Sequence, residues 1–411
     1  MRIAMITDYY LPTLGGVQTS VKAQKEALEK LGHSVFVFCP LHGKSTDKTI
    51  IRVPTSKRFK PDNFPFAWSP RLVEAFLTKS LHEKGVDVVH IQSEMVAAVC
   101  GIKAARKLKL PLVQSMHGRL DVYTHKVLPV PSVTTRVITG FHKRHIPLSH
   151  AVSPELYAAT SSARRIWRLM VSQANAAHQV IVPSYHFASK LKKQGVKKPI
   201  SVLSNGIEDT VLGLMGNVSP RRYDATEPLR IMWCGRISPE KRPIEFLRSI
   251  EDISHSVQVD MYGDGLYLSR IRKYIKRHQL GDRVTLHGGV PQSEVLSAMK
   301  RSHLFVSTSY DFENQPMVFL ECIATGLPLL FCDSDLAEIA PKGGFLCSNS
   351  PDEKDIRASI EFLLQNTASI ESMSKTLLAH RPHITQTEHT GALVKVYRAA
   401  IEEQSEQTDV T

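Results

Sequence analysis

Short apolar runs rich in Val and Ile alternate along the chain with longer stretches in which apolar positions recur every three or four residues. A run that is apolar at consecutive positions suits a strand buried on both faces, and the longer repeat suits a helix lying over it. The pattern therefore predicts an α/β chain of two doubly wound, Rossmann-like domains. In the first half the predicted strands are residues 2–10, 34–40, 86–93, 110–117, 179–184 and 200–206; in the second they are 229–235, 257–264, 283–288, 304–309 and 327–333. Between the halves, residues 208–228 carry Gly213, Gly216, Asn217, Pro220 and Pro228 without a strand signal, and read as a linker. This gives an N-terminal domain of residues 1–207 and a C-terminal domain of residues 229–380. A polar break near residue 381 precedes a last helical stripe, Leu393, Val394, Tyr397 and Ile401. Residues 381–411 are expected to form a helix and tail, the helix packing back on the N-terminal domain.

With 411 residues, 42% of them apolar and 22% charged, each domain can bury its own core. No apolar run approaches the roughly 18 residues of a membrane span, and Met1 leads straight into a strand pattern, so a cytoplasmic protein is expected. The six cysteines are scattered without a CxxC pair or a His cluster, so no metal is expected and they read as small buried hydrophobes. The net charge of +13 divides unevenly: residues 1–215 hold 30 Lys and Arg against 13 Asp and Glu, or +17, leaving 22 against 26, or −4, for the remainder. A basic half suits nucleic acid, an anionic membrane or an acidic small molecule. No recognition-helix, zinc or RNA-binding motif accompanies the charge, so nucleic acid is not expected as a partner.

Three segments could carry chemistry. Asp8 to Val17 (DYYLPTLGGV) is a strand end, a Pro turn and then Gly15 and Gly16 opening a helix, which reads either as an anion cradle or as a plain strand-to-helix turn. The run from Gly235 to Arg242 (GRISPEKR) follows a buried strand and presents Arg236 and Lys241 at the rim where open α/β sheets bind ligands; their charge suits a pyrophosphate, and a solvated basic turn is the alternative. Tyr310 to Pro328 (YDFENQPMVFLECIATGLP) places Glu313 in a loop and Glu321 eight residues on, in a helix. A carboxylate accepts two hydrogen bonds and suits paired sugar hydroxyls, although single glutamates in such places are commonly just solvated.

Taken in order, GGVQTSV, Val182-Pro183-Ser184, Ser204-Asn205-Gly206, GRISPEKR, Tyr262-Gly263-Asp264-Gly265, VTLHG and E-x7-E resemble glycosyltransferase family 4, retaining enzymes of GT-B fold, across both halves. The resemblance implies two Rossmann-like domains facing across a cleft, with a nucleotide-sugar donor held by the C-terminal one. It implies catalytic roles for His117, near the anomeric carbon, for Arg236 and Lys241, on the diphosphate, and for Glu313, on the transferred sugar. Glu321 would bind the ribose, and Gly15, Gly16, Gly235, Gly263, Asn314, Gln315, Met317 and Val318 would complete the donor site. Retention of configuration without a carboxylate nucleophile, closure of the domains to exclude water, and no obligatory metal or cofactor follow from the same resemblance.

The chain departs from the family where the loop after the first Glu, usually like GFG, reads Asn314-Gln315-Pro316. Pro316 has no N–H to offer the sugar. A Gln in this loop resembles some bacterial diacylglycerol glucosyltransferases, and a UDP-sugar such as UDP-glucose is the expected donor, with GDP-mannose next. For the acceptor, basic residues interleaved with aromatics point to an anionic membrane surface: Lys57, Arg58 and Lys60 with Phe64 and Trp68; Lys143 and Arg144; Arg164 and Arg165 with Trp167. A lipid acceptor such as diacylglycerol or a glycolipid, and a peripheral position on the inner face of the cell membrane, are expected. A soluble glycan or cell-envelope polysaccharide is the alternative acceptor. A catalytically silent sugar-nucleotide binder is the alternative class, disfavoured because Arg236, Lys241 and both glutamates are all present. The oligomeric state is left open.

Overall fold

The structure, a computed structural model, describes residues 1–11, 15–41, 45–56, 65–148, 152–253, 257–340, 343–347 and 352–409. The chain forms two compact units, Met1–Gly206 with Gln386–Thr411, and Ile207–Thr385.

In the first unit seven parallel strands, β1 (Arg2–Ile6), β2 (Ser34–Cys39), β3 (Ile50–Arg52), β4 (Val88–Ile91), β5 (Leu112–Ser115), β6 (Gln179–Val182) and β7 (Ile200–Val202), lie in the order β3-β2-β1-β4-β5-β6-β7. Helices α1 (Gly16–Lys30), α2 (Pro70–Glu83), α3 (Val96–Lys107), α4 (Leu120–Lys126), α5 (Pro131–Lys143), α6 (Ser161–Ala176) and α7 (Tyr185–Lys193) complete the run to Gly206. The second unit begins with α8 (Asp209–Met215). Its sheet takes β8 (Leu229–Cys234), β9 (Val257–Tyr262), β10 (Val284–Gly288), β11 (Leu304–Ser307), β12 (Leu329–Phe331) and β13 (Gly344–Leu346) in the order β10-β9-β8-β11-β12-β13. Around it pack α9 (Pro243–Glu251), α10 (Leu268–Arg277), α11 (Gln292–Arg301), α12 (Met317–Thr325), α13 (Glu353–Gln365) and α14 (Thr367–His380). The chain then returns to the first unit as α15 (Gln386–Asp409).

Both sheets are doubly wound, and each reverses its order once, between β1 and β4 and between β8 and β11; ligands of open α/β sheets sit beyond the strand C-termini at such a reversal. Alternate residues of β1 show why the strands are apolar throughout. Ile3 and Met5 pack with Val21 and Leu28 of α1 and Tyr397 of α15, whereas Ala4 and Ile6 pack with Leu77 of α2 and Ala98 of α3.

The expected boundaries shift in two places. Residues 208–228 are part of the second unit: Met215 is buried in its core, and Arg221 reaches inward to donate to the carbonyls of Met299 (3.3 Å) and Thr325 (3.0 Å). The second unit also keeps residues 381–385, where Ile384 is buried and its carbonyl accepts from the Ile207 N–H at 2.8 Å. Strands β3 and β13 were not expected; each is a three-residue edge strand, too short to show a period.

Candidate functional site

In the second unit the strand C-termini are drawn together by their own loops. Gly235 N–H donates to the Tyr262 carbonyl (3.1 Å), Ile237 N–H to that of Asp264 (2.9 Å), and Gly263 N–H to that of Gly288 (2.8 Å). Gly263, at φ 134, sits so close that a Cβ there would lie 1.9 Å from the Gly235 carbonyl oxygen. A glycine is required for this approach of two backbones. After β8 a single 3₁₀ turn, Pro239–Lys241, leads to Arg242 at φ 52, which starts α9.

This turn is fixed to the end of β11 across the point of reversal. Trp233 Nε1 donates to Thr308 Oγ1 (3.2 Å), and Thr308 Oγ1 donates to the Lys241 carbonyl (2.7 Å). Lys241 Nζ then forms an ion pair with Glu313 Oε1, with the two side chains 20% and 14% exposed. Arg236 is exposed on the same rim. Within the turn, Glu240 is fully buried: Ser238 Oγ donates to its Oε1 at 2.5 Å, while its Oε2 has no hydrogen-bond partner among the described residues.

Glu313 is followed by buried Asn314 and half-buried Gln315, and Pro316 is the N-cap of α12, whose first turn has no side-chain cap and includes Met317 and Val318. Glu321 lies one turn further on, where Gln292 Nε2 donates to its Oε1 at 2.6 Å. The residue as a whole is half-buried, and removal of its carboxyl from water pushes its pKa up to about 7, against the pull of the Gln292 bond. Its charge is felt at Cys234, at the end of β8, so the carboxyl lies beside the same strand terminus. The structure thus brings Gly235, Arg236, Lys241, Gly263, Glu313 and Glu321 to one rim, with the polar supports Thr308 and Gln292 added.

In the first unit, Gly15 is the N-cap of α1 with φ 175, an extended conformation open to any residue, and Gly16 is the first residue of the helix. His117 follows β5. Its Nε2 donates to Gln92 Oε1 (2.7 Å), Gln92 Nε2 to Gln24 Oε1 (2.7 Å), Gln24 Nε2 to Ser20 Oγ (3.0 Å), and Ser20 Oγ to Asn205 Oδ1 (2.8 Å). Burial pushes the His117 pKa down to about 4, so the ring is neutral at pH 7 and the chain of bonds fixes its tautomer with the proton on Nε2. Its end faces a small cleft lined by Ser115, Met116, Ser204, Asn205, Gln386 and His389. Sequence reading had singled out the histidine and, within the quoted motifs, Ser20, Ser204 and Asn205, but not Gln24, Gln92, Ser115, Met116, Gln386 or His389.

The surface candidates separate. Lys57, Arg58, Lys60 and Phe64 lie outside the described residues. Trp68 is 56% exposed, and Lys143, Arg144 and Arg164 are exposed, whereas Arg165 is half-buried and donates to Thr135 Oγ1 on α5 at 3.1 Å. Trp167 is not a surface residue. It is fully buried in the core of α6, its Nε1 donating to Asp121 Oδ2 at 3.1 Å, because it shares its helix face with Ala163, Met170 and Ala174 rather than with the arginines beside it in sequence. Among the described residues, no helix is long and apolar enough to cross a membrane.

Comparison with known proteins agrees across the chain. Residues 14–211 match Glycosyltransferase Family 4 and residues 221–377 match Glycosyl transferases group 1. The chain is 27% identical to an alpha-monoglucosyldiacylglycerol synthase of Streptococcus pneumoniae, over 80% of this chain and 70% of that one. It is 24% identical to one of Acholeplasma laidlawii, over 84% and 83%. An Anabaena protein, HepE, solved in complex with UDP, superposes with a TM-score of 0.69 at 17% identity, covering 97% of this chain and all of that one. With two Rossmann-like sheets, a rim that gathers Arg236, Lys241 and the paired glutamates, and both family matches in order, the chain is a glycosyltransferase and belongs to glycosyltransferase family 4.

Proposed function

We propose that this glycosyltransferase moves a hexose, with retention, from a UDP-sugar to a hydroxyl of a lipid such as diacylglycerol while lying on an anionic membrane surface. Two of its relatives are alpha-monoglucosyldiacylglycerol synthases, and UDP is the ligand of the Anabaena neighbour. In this reading Arg236 and Lys241 neutralise the leaving diphosphate, so no metal or other cofactor is called for. Glu313 holds the hexose, Glu321 the ribose, and neutral His117 is a hydrogen-bond partner for the sugar.

The observation that carries the lipid acceptor is the outer face of α5. Val130, at its N-cap, Val133 and Val137 are 62%, 52% and 66% exposed, and Arg136, Lys143 and Arg144 are exposed with them. Valine is stiff in a helix and a poor choice for a solvated helix surface. No acidic residue occurs from 122 to 154, and Arg136, Lys143 and Arg144 have no carboxylate partner among the described residues. An apolar stripe bordered by unpaired cations fits the headgroup layer of an anionic bilayer, where each cation contributes about 1 kcal/mol.

The test supplies UDP-glucose and diacylglycerol in vesicles with and without phosphatidylglycerol, reading product and co-sedimentation. Transfer and vesicle binding are expected to need the anionic lipid and to weaken as salt rises. The double variant V133D/V137D is expected to abolish sedimentation while donor affinity is kept. Transfer that ignores lipid charge, or turnover only with soluble glycans, would refute the membrane reading.

Glu321 supplies a second check. A carboxylate accepts both ribose hydroxyls, and a carboxyl with a pKa of about 7 must lose its proton to do so, so affinity for UDP rises with pH. Calorimetry is expected to show an increase of about tenfold from pH 6 to pH 8 beyond any change in Glu321→Gln. Equal pH responses of the two proteins would remove the ribose assignment.

A further inference from the structure

At the point where the first sheet reverses its order, α1 leaves over one face with α15 and α3 leaves over the other with α2; beyond the C-termini of β1 and β4 is where open α/β sheets of this kind take their ligands. Three polar side chains follow the strand ends there: Asp8 after β1, Glu94 after β4 and His117 after β5. The pairing of Ile91 with Gln114 sets Glu94 and His117 each three positions beyond a matched pair on adjacent strands, and the Gln92 to His117 bond ties the two loops together.

Asp8 is fully engaged in structure. It accepts from Ser93 Oγ (2.7 Å) and from the N–H groups of Met95 (3.0 Å) and Ala97 (2.7 Å), and so caps α3 and clamps the β1 and β4 loops. Glu94 is held from three sides through its backbone: its neighbours Ser93 and Met95 are both bound to Asp8, and its own carbonyl accepts from Gln173 Nε2 at 2.9 Å. Its side-chain carboxyl, by contrast, is half-buried with no hydrogen bond or ion pair among the described residues. A desolvated carboxyl without a partner lowers stability. The combination of a backbone fixed on every side and an unengaged polar head is that of a group set for a ligand.

We propose that Glu94 is the acceptor-binding residue of the first unit, holding the acceptor's hydroxyl by a hydrogen bond. The proposal rests on the reading of the chain as a lipid glycosyltransferase and names the group that meets the alcohol. Burial and the neighbouring Asp8 charge raise the Glu94 pKa to about 8, so at pH 7 the head is mostly a neutral carboxyl with one donor and a free acceptor. That complement matches a neutral alcohol, which both donates and accepts, and suits neither a phosphate nor an ammonium group.

The experiment compares wild type, Glu94→Gln and Glu94→Ala in steady-state transfer from UDP-glucose to diacylglycerol in phosphatidylglycerol vesicles, with UDP affinity and Tm measured alongside. The alanine variant is expected to raise the KM for diacylglycerol at least about tenfold, the loss of one buried hydrogen bond to substrate. Glutamine, which also donates and accepts, is expected to recover most of that loss. The KM for UDP-glucose and the Kd for UDP should stay within about twofold, and Tm should not fall, which a merely structural role would not produce. Acceptor KM and kcat unchanged in both variants would overturn the role of Glu94 alone. A wild type that glucosylates no lipid hydroxyl would overturn the lipid reading and this proposal together.

Discussion

Replacing Lys241 by alanine is expected to lower kcat by roughly 10²–10³-fold, the effect of removing one preorganised partner of a developing negative charge, while the second unit stays folded. The fold should survive because the main chain of Lys241 is held independently of its side chain, by Thr308 Oγ1 on its carbonyl. The ion pair with Glu313 is partly solvated, and such pairs contribute little to stability, typically about 1 kcal/mol or less. Its value is in the exchange it permits. Without donor, Lys241 and Glu313 neutralise each other; in the proposed function a diphosphate takes the ammonium and the hexose hydroxyls donate to the carboxylate, so neither group is left without a polar partner in either state. Glu313→Ala therefore separates two effects: donor affinity is expected to hold or rise as Lys241 is freed, while kcat falls. Arg236, exposed on the rim, can be removed without touching the core. Stopped-flow single turnovers with UDP-glucose, beside thermal melts, read both quantities. A Lys241→Ala protein with wild-type kcat would strike the diphosphate assignment.

The second-unit site was legible because it is local. Strand, turn and helix follow each other within a few residues at GRISPEKR, and the E-x7-E spacing spans one loop and the first turns of one helix, so residue order is enough to bring these side chains to one rim, while their roles rest on the family resemblance. The strands were legible for a related reason, as apolar runs covered on both faces, with the short edges β3 and β13 escaping. Residues 208–228 were misjudged because Gly and Pro mark irregular backbone, and irregular is not the same as unpacked: Arg221 sends its guanidinium inward to two carbonyls. Trp167 was misjudged because adjacency to arginines in sequence says nothing of helix face. Glu94 and Glu240 are isolated acids in loops, and only the folding of distant segments around them removes their water. Gln92 and Gln24 carry no sequence signal at all, since a glutamine that orients a histidine looks like any other.

The largest stability loss is expected at Asp121, just beyond His117. Its two oxygens accept from Arg119 Nε and Nη2, each at 2.9 Å, and Trp167 Nε1 adds a third bond at 3.1 Å, with both charged side chains 2% exposed. The Arg119 guanidinium also lies 5.2 Å from the Tyr157 ring centroid and 5.5 Å from that of Trp167. Asp121→Ala removes both of these charge-assisted bonds from a buried guanidinium, a change worth about 3–5 kcal/mol. For a unit of this size that amounts to a fall in Tm of roughly 10 °C. Because a buried pair replaced whole by apolar groups is often neutral, the double variant R119M/D121L is expected to regain most of the lost Tm. Arg119 and Asp121 also anchor the segment that leaves His117, whose ring is held on its other side by the bond to Gln92. The double variant should therefore melt near wild type yet turn over more slowly, as His117 loses one side of its support. A melt within about 2 °C of wild type for Asp121→Ala would show that water reaches Arg119 and that the cluster is not the buried anchor its geometry implies.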